Sequence, residues 1–247
     1  MQNHLMYVFL STCMFLFSHP MYAQFEADIE GGAAFTGYND IQIPADEGTF
    51  INLKDRFMVD PSYFFRLRAS YTFDDKHTLS LLYAPLSFRA VRLEGRPIAF
   101  AGETFSGQLP LDLYWQFNSY RLTYRYLFPR TDKLKFGIGL TAKIRDARIR
   151  VSNEVSEAEK ENVGFVPLIN FQLEWFAMER MSVLLQGDAL VSFNGRAEDV
   201  MLAAQFYLSR LSSLRIGYRI LEGGADSDEV YNFSLIHYAL IGGTIRF

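Results

Sequence analysis

The sequence contains a single cysteine, Cys13, among 247 residues. Histidine is also scarce, because only His77 and His237 lie beyond residue 23. If the first 23 residues are removed during secretion, the mature chain has no thiol and cannot form a disulfide. Cysteine-based catalysis is then excluded, and two imidazoles remain for any acid–base chemistry.

Long apolar runs are also absent beyond the first 24 residues, although 49% of all residues are hydrophobic and 16% are aromatic. No later segment approaches the roughly 18 consecutive apolar residues of a membrane-spanning helix, so helical spanning is excluded. The mean hydropathy is only +0.01, because charged residues are interspersed throughout. The formal net charge of -4 argues against a nucleic-acid partner.

The first segment reads MQNHLMYVFLSTCMFLFSHPMYAQ. It is apolar from Leu5 to Phe17, reaches Pro20, and then presents the small residue Ala23. An apolar core followed by a helix breaker and a small residue is typical of a secretory signal peptide. Lys and Arg, which usually precede such a core, are missing here. We predict a cleaved signal at residues 1–23 and a single mature domain at residues 24–247.

Ten segments with strand patterning follow, separated by turns of two alternating kinds. Short turns are predicted at 74–77, 129–133, 177–181 and 209–213, with mostly longer connections between them. This alternation is expected of bacterial outer-membrane barrels, whose periplasmic turns are short and whose external loops are longer. An even number of strands places both chain ends on the periplasmic side. The predicted fold is all-β, a ten-stranded antiparallel up-and-down transmembrane β-barrel.

Side chains alternate strictly within several of these segments. In FRLRASYTF, Phe65 and Leu67 share one face with three further apolar residues, while Arg66 and Arg68 share the other. Period-2 alternation predicts strands with one apolar and one polar face. A soluble β-sandwich alternates in the same way, with the apolar face inward. The turn lengths, the aromatic residues near strand ends and the final residues favour the membrane barrel over a periplasmic or secreted sandwich.

The sequence closes with GGTIRF, which resembles the C-terminal assembly signal of outer-membrane barrel proteins. Phe247 and Ile245 alternate outward in that signal, and Gly242 holds its glycine position. Leu240 departs from it, because the pattern has a polar residue there. The resemblance implies recognition by the barrel assembly machinery and a location in the outer membrane, among its lipid and lipopolysaccharide.

Enzymatic barrels offer two comparisons. The sequence HYA after Ile236 resembles the His-x-Ser of lipid A deacylase barrels, but Ala239 stands where the nucleophile would be. The omptin proteases also have ten strands and pair aspartates with an Asp–His couple at the rim. Asp226 and Asp228 lie in a predicted external loop, with no histidine beside them. Their acidic neighbours Glu222 and Glu229 could bind calcium, but solvated loop acids are commoner, and no metal site or cofactor is predicted.

Strand parity places a set of charged residues inside the barrel, where charges must pair or stay hydrated. The set is Arg66, Arg68, Arg121, Arg125, Lys143, Glu174, Asp188, Arg215 and Arg219, accompanied by Asn170, Gln172 and Gln186. One interpretation is an interlocked polar plug that stabilises a narrow barrel. The other is an arginine-rich pocket or conduit for an anion, because basic residues outnumber acidic ones in this set.

The expected function is that of a monomeric, non-enzymatic outer-membrane protein that serves structure, surface interaction or limited solute passage. Two alternatives stay open: a lipid A- or peptide-hydrolysing barrel, and a small anion-preferring channel. A role as an adhesin would need exposed aromatic residues in the loops at 45–61 and 94–112. The solute, receptor or lipid is not specified by the sequence.

Overall fold

The computed structural model describes residues 24–192 and 195–247, so the predicted signal peptide lies outside the described residues. Among these residues, no helix is long and apolar enough to cross a membrane. One helical turn, Leu53–Arg56, accompanies the strands. The strands are β1 (Gln24–Gln42), β2 (Ile51–Asn52), β3 (Met58–Val59), β4 (Ser62–Phe73), β5 (His77–Ala84), β6 (Ser87–Arg92), β7 (Ile98–Phe100), β8 (Glu103–Phe105), β9 (Leu111–Leu127), β10 (Leu134–Ser152), β11 (Glu157–Met178), β12 (Met181–Ser192), β13 (Gly195–Tyr207), β14 (Ser212–Asp226) and β15 (Tyr231–Arg246).

The long strands form a closed antiparallel ring. Each long strand pairs with its neighbours along the chain. Strands β5 and β6 both pair with β9 and act as one barrel strand that is interrupted at Pro85. The last strand, β15, pairs with β1 and closes the ring. Ala27 lies opposite Ile245 in the closing pair. Counting β5 and β6 together, the ring has ten strands, which confirms the predicted ten-stranded up-and-down β-barrel. Closure leaves no free strand edge, as a β-structure in lipid requires.

The two ends of the barrel differ. The turn end carries both termini of the ring and the short turns at 74–76, 128–133, 179–180 and 208–211, as predicted. The loop end carries long connections at 43–61 and 93–110, but the described connections at 153–156 and 227–230 are short. The expectation of mostly longer loops at this end is therefore wrong. Strands β10, β11, β13 and β14 instead continue beyond the apolar wall.

The outer wall is apolar. On β10, the outward residues from Leu134 to Ile144 are all apolar, and Leu140 is 68% exposed. This run covers about 33 Å along the strand. At the tilt of about 40° typical of membrane barrels it spans about 25 Å, the height of the lipid-facing band in that class. Beyond it the outward residues turn polar, beginning with Asp146, whose carboxylate accepts hydrogen bonds from Gln116 and Asn118.

The two long connections fill part of the barrel at the loop end. Their backbones join where the Thr49 amide donates to the Ala99 carbonyl at 2.8 Å and the Ala101 amide donates to the Ile43 carbonyl at 2.9 Å. Their apolar side chains pack on inward residues of β6 and β9 to form the loop plug, which contains Ile43, Ile51, Leu53, Phe57, Ile98, Phe100, Phe105, Phe88 and Trp115. Only Phe50 among the aromatic residues of these connections is exposed. The loops therefore direct most of their aromatic surface inward.

Candidate functional site

The middle of the lumen is filled by six charged side chains, here called the ionic layer. They come from six different strands and are each at most 5% exposed: Glu30 on β1, Arg66 on β4, Arg121 on β9, Asp188 on β12, Asp199 on β13 and Arg219 on β14. Three are cations and three are anions, so the layer carries no net charge. Buried charges of both signs at this depth need direct pairing.

Asp199 is the centre of the layer. Its carboxylate contacts Arg66 Nη2 at 2.9 Å, Arg121 Nη2 at 2.6 Å and Arg219 Nη1 at 2.5 Å. Glu30 completes one side, with Oε1 lying 2.9 Å from Arg219 Nε and 3.8 Å from Arg66 Nε. One carboxylate thus holds three guanidinium groups from β4, β9 and β14.

Asp188 closes the other side of the layer. It contacts Arg121 Nη1 at 2.6 Å through Oδ2. Its Oδ1 accepts hydrogen bonds from Thr141 at 2.6 Å and from Asn170 at 2.7 Å. These contacts bring β10 and β11 into the same layer. Next to Arg215 on the turn-end side, Asp28 and Glu30 lie 2.5 Å and 3.1 Å from its guanidinium nitrogens.

The nine predicted lumen residues do not all join one network in the structure. Four of them, Arg66, Arg121, Asp188 and Arg219, lie in the ionic layer, and Arg215 adjoins it. Arg125 instead donates to two neutral partners, Asn170 at 2.7 Å and Gln172. Glu174 accepts from Ser182 at 2.6 Å and from Tyr207, with no cation at ion-pair distance among the described residues. The expectation that Arg125 and Glu174 join a common charge network is not met.

Sequence reasoning missed three acids of this region: Asp28, Glu30 and Asp199. Asp199 lies in β13, in phase with the inward residues Met201 and Gln205. Asp28 and Glu30 alternate in the first strand, and that period-2 pattern was the available signal. With these acids included, the apparent excess of basic residues in the middle of the lumen disappears.

A cavity of about 460 Å³ opens on the turn-end side of the layer. Arg68, Arg125 and Lys135 line it together with Glu174 and other polar residues. Arg68 donates to the Gln186 amide oxygen in the amide orientation that satisfies both groups. This turn-end cavity therefore presents guanidinium groups held by neutral amides.

A second cavity of about 560 Å³ opens on the loop-end side. Trp115 and Phe117 line one wall, with ring centroids 5.7 Å apart and planes inclined by 5°. Lys143 lies in the wall beside them, with Nζ 4.6 Å from the centre of the Phe117 ring. Arg145, two residues along the same strand face, lines the cavity as well. Lys160 and Arg196 line it too, so this loop-end cavity combines an aromatic wall with four cationic side chains.

The carboxylates at the rim of the loop-end cavity are engaged elsewhere. Glu222 lies beyond the apolar band, where its Oε1 is 2.6 Å from Arg196 Nη2, and Tyr38 donates to it at 2.5 Å. Burial raises the pKa of the Glu222 carboxyl, but the hydrogen bonds from Arg196 and Tyr38 outweigh it, and the pKa lies below its ordinary value. Glu229 pairs with Lys160 at 3.0 Å. Neither carboxylate pairs with Lys143 or Arg145.

A small void lies beside the layer. It measures about 10 Å³ and is lined by Arg66, Arg121, Phe117 and Tyr238, among others. A void of this size holds at most about one water molecule. The six side chains of the layer are each at most 5% exposed, so the described residues pack closely in the middle of the lumen.

The histidines and the acidic turn take other places. His77 shares a 2.8 Å hydrogen bond with Tyr124 at the turn end. His237 shares a 2.5 Å hydrogen bond with Tyr218 on the outer wall. Neither imidazole projects into the lumen. Asp226 and Asp228 lie at the β14–β15 turn, and no group of three or more potential metal ligands forms among the described residues.

No protein-family model matches this chain, and no curated protein sequence matches it. Among solved structures, the outer membrane protease OmpT of Escherichia coli is 8% identical, and the match covers 94% of this chain and 99% of that one with a TM-score of 0.58. The attachment invasion locus protein Ail of Yersinia pestis, in complex with a heparin analogue, is 11% identical over 90% of this chain and 99% of that one, with a TM-score of 0.38. Neisserial surface protein A is 12% identical over 90% and 97% of the two chains, with a TM-score of 0.34.

The match to OmpT, an outer membrane protease, shows that the chain shares the fold of that outer-membrane barrel. At such low identity the likeness extends to the fold and to no activity.

Proposed function

We propose that this protein is a monomeric, non-enzymatic barrel of the outer membrane, with its lumen closed at mid-height, that acts through its external end. The predicted signal peptide supports secretion, and the apolar wall supports insertion in a bilayer. In this orientation the turn end faces the periplasm and the loop end faces the outside. The barrel assembly machinery would insert it among outer-membrane lipid and lipopolysaccharide.

The observation that carries this proposal is the ionic layer. Six strands contribute charged side chains that neutralise one another within 4 Å. An open pore needs water and ions to pass, whereas these side chains are almost entirely buried by each other. Opening a path would require separating buried opposite charges, which is strongly unfavourable.

A second candidate function is passage of small anions. The turn-end cavity favours it, because Arg68 and Arg125 are held by neutral amides there and remain uncompensated. Rings of basic side chains are a known means of anion selection in pores. Passage would still require the ionic layer to open.

Efflux from liposomes separates these two functions. Refolded protein is inserted into vesicles loaded with chloride, a small organic anion and a cation of similar size, and the release of each is followed over time. If the lumen is closed, the loaded ions are released at the same rate as from protein-free vesicles. Release of anions faster than of cations of similar size would establish the channel instead.

A further inference from the structure

The loop-end cavity contains a buried lysine that pairs with no carboxylate among the described residues. Lys143 is 2% exposed, and among the described residues it forms neither an ion pair nor a hydrogen bond; its one close partner is the Phe117 ring. A buried lysine is unfavourable unless its charge is compensated. The face of one phenyl ring compensates only part of that charge and leaves three N–H donors unused.

Arg145 repeats this feature within the same cavity. Its Nη2 donates to the Asn162 side chain, but its Nε is buried and has no hydrogen-bond partner. Alternate residues of a strand are about 7 Å apart on one face. A single carboxylate placed between them can therefore accept hydrogen bonds from both side chains.

Protein acids do not fill this role. The three carboxylates that line the cavity each pair with another cation: Glu161 with Arg148, Glu222 with Arg196 and Glu229 with Lys160. Asp188 and Asp199 belong to the ionic layer below and pair with its arginines. Among the described residues, Lys143 and Arg145 therefore have no carboxylate at ion-pair distance.

Part of the cavity wall is apolar and suits an organic body. Trp115 and Phe117 form a flat aromatic wall, and Leu190, Leu221 and Val230 contribute further apolar surface. Its volume of about 560 Å³ lies within the usual range for small-molecule sites. Phosphate groups are usually bound by several donors such as backbone amides or paired arginines. One ammonium with one guanidinium Nε beside an apolar wall suits a monocarboxylate better.

We infer that the loop-end cavity binds a small organic monocarboxylate with an apolar body, its carboxylate between Lys143 and Arg145 and its body against Trp115 and Phe117. The ligand would enter from the loop end, where the rim at 227–230 and 160–162 borders the cavity. This inference rests on the proposed function only for the orientation of the barrel in the membrane. With the lumen closed, the cavity opens to the outside alone.

Binding can be measured with 5-phenylvalerate on the full-length mature protein in lipid nanodiscs, which keep detergent out of the cavity. A Trp175→Phe background leaves Trp115 as the only tryptophan, so its fluorescence reports the cavity. We expect a saturable change with one ligand per protein. The neutral 5-phenylvaleramide should bind at least about tenfold more weakly, because it lacks the charge that the cations attract.

Variants locate the site. Lys143→Met should weaken 5-phenylvalerate binding at least about tenfold without lowering the unfolding temperature, because it removes an unpaired buried charge. Lys143→Arg should restore most of the affinity. The matched control is Lys135→Met, which removes a lysine from the turn-end cavity and should leave binding unchanged.

Several results would overturn the inference: no saturable change with 5-phenylvalerate, equal binding of the amide, or full binding by Lys143→Met. Inorganic phosphate that competes as well as the carboxylate would also overturn it, in favour of a phosphate-bearing ligand. Ion conductance by the same preparation would contradict the closed lumen and leave the binding result standing, so the two failures are distinguishable.

Discussion

Asp199 on β13 and Arg121 on β9 meet at 2.6 Å across the lumen, although four steps around the ring of ten strands separate them. The same carboxylate also holds Arg66 and Arg219. This contact links distant parts of the wall, so the ionic layer serves as internal bracing as well as closure. The first two predictions follow from it.

Asp199→Asn should be the most destabilising single carboxylate change in the barrel. It leaves three buried guanidinium groups short of one negative charge, which should lower the free energy of unfolding by about 3–5 kcal/mol. Urea unfolding of protein refolded into liposomes measures it. The matched control, Glu229→Gln, breaks an exposed ion pair with Lys160 and should cost less than about 1 kcal/mol. Equal effects of both changes would contradict the bracing role.

Glu174→Gln should lower the free energy of unfolding only slightly in the same assay. Glu174 accepts hydrogen bonds from Ser182 and Tyr207, and a glutamine oxygen can still accept them. We expect a loss of about 1 kcal/mol, since no buried cation is left unpaired. A loss as large as that of Asp199→Asn would show that an arginine reaches Glu174 in the folded protein.

Gly242→Ala should disturb Arg215. A Cβ built on Gly242 would lie 2.7 Å from the Arg215 guanidinium carbon, so this side chain must shift away from Asp28. We expect the free energy of unfolding to fall by about 1–2 kcal/mol, as it does at other overpacked sites. Gly243→Ala is the matched control, because its Cβ would lie at ordinary van der Waals distances from Leu214, 3.6 Å, and the Ser213 carbonyl oxygen, 3.9 Å. Equal stability of the two variants would indicate that Arg215 moves without loss.

Phe247→Ser should separate assembly from stability. The Phe247 ring is exposed on the outer wall, and its amide donates to the Phe25 carbonyl at 2.9 Å. If the machinery reads this residue, the assembled fraction in cells should fall several-fold. The stability of the refolded variant should change by less than about 1 kcal/mol, because the amide bond is kept.

The control for that experiment is Phe206→Ser, which removes another exposed aromatic residue of the outer wall. Its assembled fraction should stay near that of the parent protein. The fraction is read from heat-modifiable migration on gels. Equal loss with both variants would remove the special role of Phe247.

The ring of ten strands and the direction of most side chains could be predicted from the sequence. Period-2 alternation is a local property, so Arg66 and Arg121 could be assigned to the lumen from their own strands alone. Strand number followed from turn chemistry, which is equally local. These features need no knowledge of how the barrel closes.

Pairing across the lumen could not be predicted. Whether Arg121 meets Asp199 or Glu174 depends on strand tilt and stagger, which the alternation of a single strand does not encode. Asp199 also resembled a loop residue, because charged outward neighbours on β13 hide the strand pattern beyond the membrane band. The loop-end cavity was missed for a related reason, since it forms only where Lys143 on β10 approaches Phe117 on β9.

Single-channel recording in a planar lipid bilayer tests the closed lumen most directly. Protein shown to be folded by heat-modifiable migration is added at high chloride concentration, with a general porin as the positive control. The account predicts no resolvable current steps above the bare bilayer. Steady steps with a preference for anions, at low voltage and in folded protein, would contradict it.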